Sequence, residues 1–226
     1  MPVGARDAVL AGATGLVGSQ LLPLLASAPE YARVFALTRR ALPIAAANVV
    51  AVPADFDALT ASLQDAGPGA DVYCCLGTTI RAAGSEAAFR RVDHDFVLAL
   101  AQWAKARAAR RFVLVSALGA DPGSRVFYNR VKGEIERAVR AEGPASVTIL
   151  QPSLLDGERA QSRRGEQLAL RISRPLRGLI PRAWRPVAAR DVAAAMLLAA
   201  RADPAPTLIA SAAMHGAAEV LTTGAA

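Results

Sequence analysis

Short apolar runs alternate with stretches of helical spacing from the N-terminus to Gln151. Asp7 to Ala11, Arg33 to Leu37 and Asn48 to Val52 read as strands. Asp71 to Leu76, Arg111 to Ser116 and Ser146 to Leu150 read the same way, and their apolar residues run on as in strands buried on both faces. After the first strand Val17, Leu21, Leu24 and Leu25 share a helical face, and Pro23 is expected to kink that helix. Further helices are expected at Asp57–Gln64 and Arg125–Ala141. A long one is expected from about Ser85 to Ala109, where Phe89, Val92, Phe96, Leu100 and Trp103 form an apolar stripe for the core. This alternation predicts an α/β fold, a doubly wound parallel sheet in a three-layer αβα sandwich. The regularity fades after Gln151. Arg163 to about Arg174 and Asp191 to Ala200 look helical, Pro175, Pro181 and Pro186 break the stretch between them, and Thr207–Ala210 reads as a last strand. The tail Thr222–Ala226 is expected to fray. The expectation is one domain over residues 1–226, with 152–226 forming a small substrate-side extension.

Composition narrows the class. The 226 residues suffice for one sizeable core and fall short of two. With 53% hydrophobic residues, 20% charged residues and a mean hydropathy of +0.29, the chain does not read as disordered. The longest apolar run, Val192 to Ala200, is far shorter than a membrane span. The N-terminus lacks the apolar core of a signal peptide, and the two cysteines, Cys74 and Cys75, are adjacent, which excludes a disulfide framework. These features predict a soluble cytoplasmic protein. Net charge is +7, yet nine arginines and one acid, Glu166, fall between Arg159 and Arg190, so the rest of the chain is close to neutral. One basic segment is not the footprint of a nucleic-acid binder, and no nucleic-acid partner is expected. Segment 159–190 instead suits recognition of an anionic small substrate, a protein partner surface, or simply a solvated face.

Gly12, Gly15 and Gly18 lie between the first strand and its helix. Such a turn lets a pyrophosphate approach the backbone and meet the free N–H groups of the helix, although a tight turn without ligand has the same spacing. About 20 residues on, an NAD site usually places an acid for the ribose hydroxyls. Here stand Thr38, Arg39 and Arg40. Two guanidiniums suit a 2′-phosphate, so NADP(H) is expected in preference to NAD(H), unless the pair is only solvated surface charge.

Tyr128 and Lys132 form a YxxxK, which on a helix sets phenol and ammonium on one face. With 3 Tyr and 2 Lys in 226 residues, a chance occurrence is expected only about 0.03 times, which favours a functional pair over a surface one. The ammonium favours phenolate and readies the tyrosine for proton transfer. Ser116 ends the preceding strand, where parallel sheets bind ligands, and would hydrogen-bond a substrate carbonyl. His94 and His215 form no metal-ligand cluster, and no metal is expected. Cys74 and Cys75 sit in a buried-type strand, so a reactive thiol is not expected.

Gly12, Gly15, Gly18, Ser116, Tyr128 and Lys132, in this order, resemble the short-chain dehydrogenase/reductase superfamily. Cys74–Thr79, Ala83–Glu86, Arg91–Asp93, Ser116–Asp121, the Lys132-Gly133-Glu134 step and Gln151–Leu155 narrow the likeness. Together they resemble the Tat-interacting-protein oxidoreductase family, an atypical branch, from about Val9 to Ala200. The resemblance implies a Rossmann-type domain binding NADPH, with catalytic Ser116, Tyr128 and Lys132. It implies that Gly12, Thr14, Gly15, Leu16, Val17 and Gly18 hold the pyrophosphate and Arg39 and Arg40 the 2′-phosphate. Asp55 would lie near the adenine, and Leu76, Gly77 and Thr78 would line the dinucleotide. Lys132 would hold the nicotinamide ribose, and Pro152, Ser153 and Leu154 would flank the nicotinamide. Many superfamily members place an asparagine before the serine strand to carry a proton relay. The corresponding stretch here, Arg91-Val92-Asp93-His94-Asp95, has none.

Three functions follow. The first is NADPH-dependent reduction of a small carbonyl substrate. The second is an NADPH-sensing regulatory protein without turnover, its basic segment facing a partner. The third, a sugar-nucleotide epimerase or dehydratase, is disfavoured by the short chain after Gln151.

Overall fold

The computed structural model describes residues 5–42, 46–156 and 181–223. Its strands are β1 (Arg6–Ala11), β2 (Tyr31–Thr38), β3 (Val49–Pro53), β4 (Asp71–Cys74), β5 (Arg111–Val115), β6 (Val147–Gln151), β7 (Leu155–Asp156), β8 (Val187–Ala188) and β9 (Leu208–Ala210). Seven of them pair in parallel in the order β3-β2-β1-β4-β5-β6-β9, while β7 and β8 form a separate parallel pair. Chain order reverses between β1 and β4, and at such a switch point the loops leave in opposite directions and open a crevice at the carboxyl ends.

The helices are α1 (Gly18–Ser27), α2 (Leu59–Ser62), α3 (Ile80–Ala83), α4 (Glu86–Arg90), α5 (Phe96–Ala106), α6 (Phe127–Glu142), α7 (Ala189–Arg201), α8 (Ser211–Met214) and α9 (Ala217–Thr223). Alternating strand residues feed two cores. Ala8, Leu10, Val34, Ala36 and Tyr73 pack with Leu21, Leu25, Val192 and Met196 of α1 and α7. Val9, Ala11, Phe35, Val72 and Leu114 pack on the other face with Leu100, Trp103, Ile135 and Val139 of α5 and α6. This is the expected three-layer, Rossmann-like sandwich.

The differences from expectation have local causes. The helix expected over Asp57–Gln64 shrinks to the single turn α2, because Asp55 Oδ1 accepts the N–H groups of Asp57 (3.0 Å) and Ala58 (3.2 Å) and holds them in a turn first. The long helix from Ser85 is interrupted by a π-helical turn at Arg91–Asp95, between α4 and α5. The wider turn brings Asp93, rather than Val92, onto the face of Phe89 and Val97. Val92 and Phe96 are therefore only half-buried, and Phe96 stacks on Phe56 at 4.6 Å between ring centroids. Thr222 and Thr223, expected to fray, are helical, with Thr222 Oγ1 donating to the Ala218 carbonyl at 2.8 Å. The helix expected over Arg163–Arg174 and most of the basic segment lie outside the described residues.

Candidate functional site

The glycine turn closes the carboxyl end of β1 at the switch point. Gly12 adopts φ +82°, and a Cβ there would lie 2.5 Å from the Cys75 carbonyl oxygen at the end of β4. A Cβ on Gly18 would overlap the Gly12 carbonyl, so only glycine lets α1 start this close to β1. Gly15 N–H donates to the Gly12 carbonyl at 2.9 Å and tightens the turn. The N–H groups of Leu16, Val17 and Gly18 donate to no carbonyl of the described residues, and the first turn of α1 carries no acid to compete for them. Thr14 is exposed at the tip.

At the end of β2, Thr38, Arg39 and Arg40 line an open cavity of about 540 Å³ together with Val52, Pro53, Ala54 and Asp55 of the β3 end. Both arginines are exposed and make no ion pair or hydrogen bond through their guanidiniums among the described residues. Thr38 Oγ1 accepts the Arg40 N–H at 3.1 Å, which fixes the backbone of the pair. Asp55 is exposed at the cavity edge, its carboxylate engaged in the turn before α2.

Across the switch point lies a buried ion pair. Lys132, on α6, sets its Nζ 2.8 Å from Asp93 Oδ1, and Asp93 Oδ2 accepts the Thr78 N–H at 2.9 Å. Both side chains are almost wholly buried. Gly77 sits beside them, its Cβ position 3.9 Å from Lys132 Nζ. Burial alone would lower the lysine's pKa, but the attraction of the Asp93 carboxylate, with Tyr128 nearby, outweighs it and the net shift is upward. The ammonium is thus held charged. Tyr128 is half-buried one turn earlier, with Phe89 at 5.6 Å between ring centroids. Gly133 allows this arrangement. A Cβ there would overlap the backbone of Asp121 and Pro122, so the loop after β5 lies directly on α6. The sequence held Gly133 in its Lys-Gly-Glu step, but the reason appears only in the packing.

Ser116, just past β5, is buried, and its Oγ has no hydrogen-bond partner among the described residues. The adjoining loops are tied together: Leu118 N–H donates to the Pro152 carbonyl at 2.8 Å, and Ser153 N–H to Ser211 Oγ at 3.2 Å. Ser153 Oγ donates to the Arg185 carbonyl. Pro152 is buried, Leu154 strongly exposed, and Leu76 half-buried. Cys74 is buried, and burial pushes its thiol up to about 12, as expected for an unreactive cysteine. His94 pairs with Asp95, and the described residues hold no cluster that could bind a metal.

A parallel sheet with a glycine turn at its switch point defines the dinucleotide-binding Rossmann class. The chain belongs to the NAD(P)H-binding family, whose model matches residues 12–203. The protein HTATIP2 of Rattus norvegicus is 37% identical over 183 residues, covering 79% of this chain and 73% of that protein. The mitochondrial protein FMP52 of Saccharomyces cerevisiae is 38% identical over 159 residues, covering 70% of this chain and 69% of that protein. The resemblance drawn from the sequence blocks is thereby borne out. Among solved structures, the Bordetella bronchiseptica enzyme WbmH in complex with NAD⁺ superposes with a TM-score of 0.68 at 16% identity, over 87% of this chain and 72% of that one. The oxidoreductase ylbE from Lactococcus lactis does so with a TM-score of 0.60 at 20% identity, over 86% and 85%. These likenesses show the fold.

One expectation is overturned. The fungal relatives are named as mitochondrial proteins, against the cytoplasmic location inferred from the N-terminus. The missing apolar signal core bears only on the secretory route and is silent on mitochondrial import. Among the described residues no helix is long and apolar enough to cross a membrane.

The residues present fit a dinucleotide. The turn is held open by glycines whose Cβ positions meet backbone, the α1 N–H groups face no acid, and a buried hydroxyl and a charged ammonium stand at the neighbouring strand ends.

Proposed function

We propose that the chain is an NADPH-dependent oxidoreductase of the atypical short-chain type that reduces a carbonyl of a small substrate. The observation that carries this reading is the buried, unpartnered Ser116 Oγ at the end of β5, where a buried donor without an acceptor is costly unless a ligand supplies one. In this reading Gly12, Thr14, Gly15, Leu16, Val17 and Gly18 hold the pyrophosphate. Arg39 and Arg40, uncommitted beside their cavity, hold the 2′-phosphate, which supports NADPH over NADH. Asp55 borders the adenosine, Leu76, Gly77 and Thr78 line the dinucleotide, Lys132 holds the nicotinamide ribose, and Pro152, Ser153 and Leu154 flank the nicotinamide.

When bound, the reduced nicotinamide supplies a hydride to the carbonyl carbon, leaving an alcohol and an oxidised cofactor. Ser116 Oγ donates a hydrogen bond to the carbonyl oxygen and orients it. Tyr128 gives that oxygen its proton. The Lys132 ammonium, kept charged by Asp93, favours the phenolate that results. Tyr128→Phe tests this assignment. Turnover of a carbonyl substrate should fall on the order of 10²-fold or more, while NADPH affinity by fluorescence titration stays unchanged. Retained turnover would refute it.

A further inference from the structure

The roles above use Asp93 only to keep Lys132 charged, yet it is the most enclosed charge of the site. It is fully buried on the π-helical turn, and its two oxygens face two different elements. Oδ1 meets Lys132 Nζ of α6, and Oδ2 takes the Thr78 N–H from the loop that follows β4. A desolvated carboxylate is retained only where partners satisfy it. Here the partners are a residue expected to hold ribose and a loop expected to line the dinucleotide.

We infer that Asp93 is a positioning residue: it ties the Lys132 ammonium to the Thr78 backbone and thereby sets how tightly the nicotinamide half of the dinucleotide is held. The inference rests on the proposed role of Lys132 at the nicotinamide ribose. One physical effect supports it. The ion-pair contact at 2.8 Å holds the ammonium on its flexible stem in one place before any ligand arrives.

The test is a pair of titrations: NADPH by fluorescence, and 2′,5′-ADP, which carries the adenosine end alone, by calorimetry. In Asp93→Asn, NADPH affinity should fall on the order of tenfold or more while 2′,5′-ADP affinity is unchanged. A merely structural loss would weaken both equally and would overturn the inference, as would unchanged NADPH affinity. Asp93→Asn leaves a buried lysine unpaired, so a second comparison guards against failure to fold. The double variant Asp93→Asn/Lys132→Met leaves neither charge buried without its partner. Its NADPH affinity should also fall while 2′,5′-ADP affinity holds, because the dinucleotide then lacks the ammonium that Asp93 positions. Unchanged NADPH affinity in the double variant would overturn the inference. Wild-type protein that holds NADPH no more tightly than 2′,5′-ADP would overturn the reading of Lys132, and this inference with it.

Discussion

Two buried aspartates stand at opposite ends of the same sheet. Asp71, at the amino end of β4, is closed off. Arg110 grips it with two hydrogen bonds (2.9 and 2.7 Å), the Tyr31 hydroxyl donates at 2.8 Å, and that hydroxyl meets the Tyr73 hydroxyl at 2.6 Å. Burial pushes both phenols up, so both stay neutral donors. Arg110 also donates to the Ala200 carbonyl at 2.7 Å and so pins the end of α7. Asp93, past the carboxyl ends of the strands, has a more mobile kind of partner, a lysine, and the Ser116 hydroxyl, also at the carboxyl end, has no partner among the described residues. At one end the aspartate's oxygens are taken by Arg110 and Tyr31 of the chain itself. The other leaves donors for something that is not the chain. The same residue type thus serves stability at one end and recognition at the other.

The sharpest way to break this contrast is to remove Asp71. Asp71→Ala strands the Arg110 guanidinium and should cost about 3–5 kcal/mol in chemical denaturation, while the protein that remains folded binds NADPH as before. A loss of affinity in the folded fraction would show that the two ends are coupled. Gly18→Ala acts at the other end. Its methyl meets the Gly12 carbonyl, so α1 must shift, and a stability cost of about 1–3 kcal/mol should come with a disproportionate loss of dinucleotide binding. Replacing Arg39 and Arg40 by alanine should lower NADPH affinity on the order of tenfold and leave NADH affinity unchanged, with melting temperature unmoved. Equal loss of both cofactors would contradict the assignment of the 2′-phosphate. The smallest effect is expected at Glu30, whose carboxylate Arg201 holds at 2.7 Å. Burial alone would raise its pKa, but the Arg201 hydrogen bond and charge outweigh that, and it lies below the usual 4.5. A depressed carboxylate contributes stability above its unfolded value and loses it as pH falls below that value. Arg201→Ala should therefore cost less than about 1 kcal/mol near pH 7, and the difference from wild type should vanish in acid.

These two ends were unequally legible in the sequence. Strands such as Val72–Cys74 and Phe112–Val115 announce themselves, because burial on both faces leaves no polar alternation to confuse. The glycine turn and YxxxK were legible because the backbone and helix geometry they need restricts residue type. Asp93 was hidden. The apolar residue three positions from Phe89 is Val92, and the wider turn brings Asp93 inward instead. The available signal was an acid four residues from both Phe89 and Val97, which on a helix shares their face. The Asp71 network was equally hidden, since Tyr31, Tyr73 and Arg110 meet only through strand register.

The π-helical turn makes segment length as consequential as composition. A one-residue deletion within Arg91–Asp95 is expected to return the turn to ordinary helical winding. Yet it would swing a different side chain toward Lys132. Deletion of a neighbour such as His94 would then act as a mutation of Asp93 while leaving Asp93 in the sequence, so an alignment gap in this stretch would change the site without altering any of its named residues.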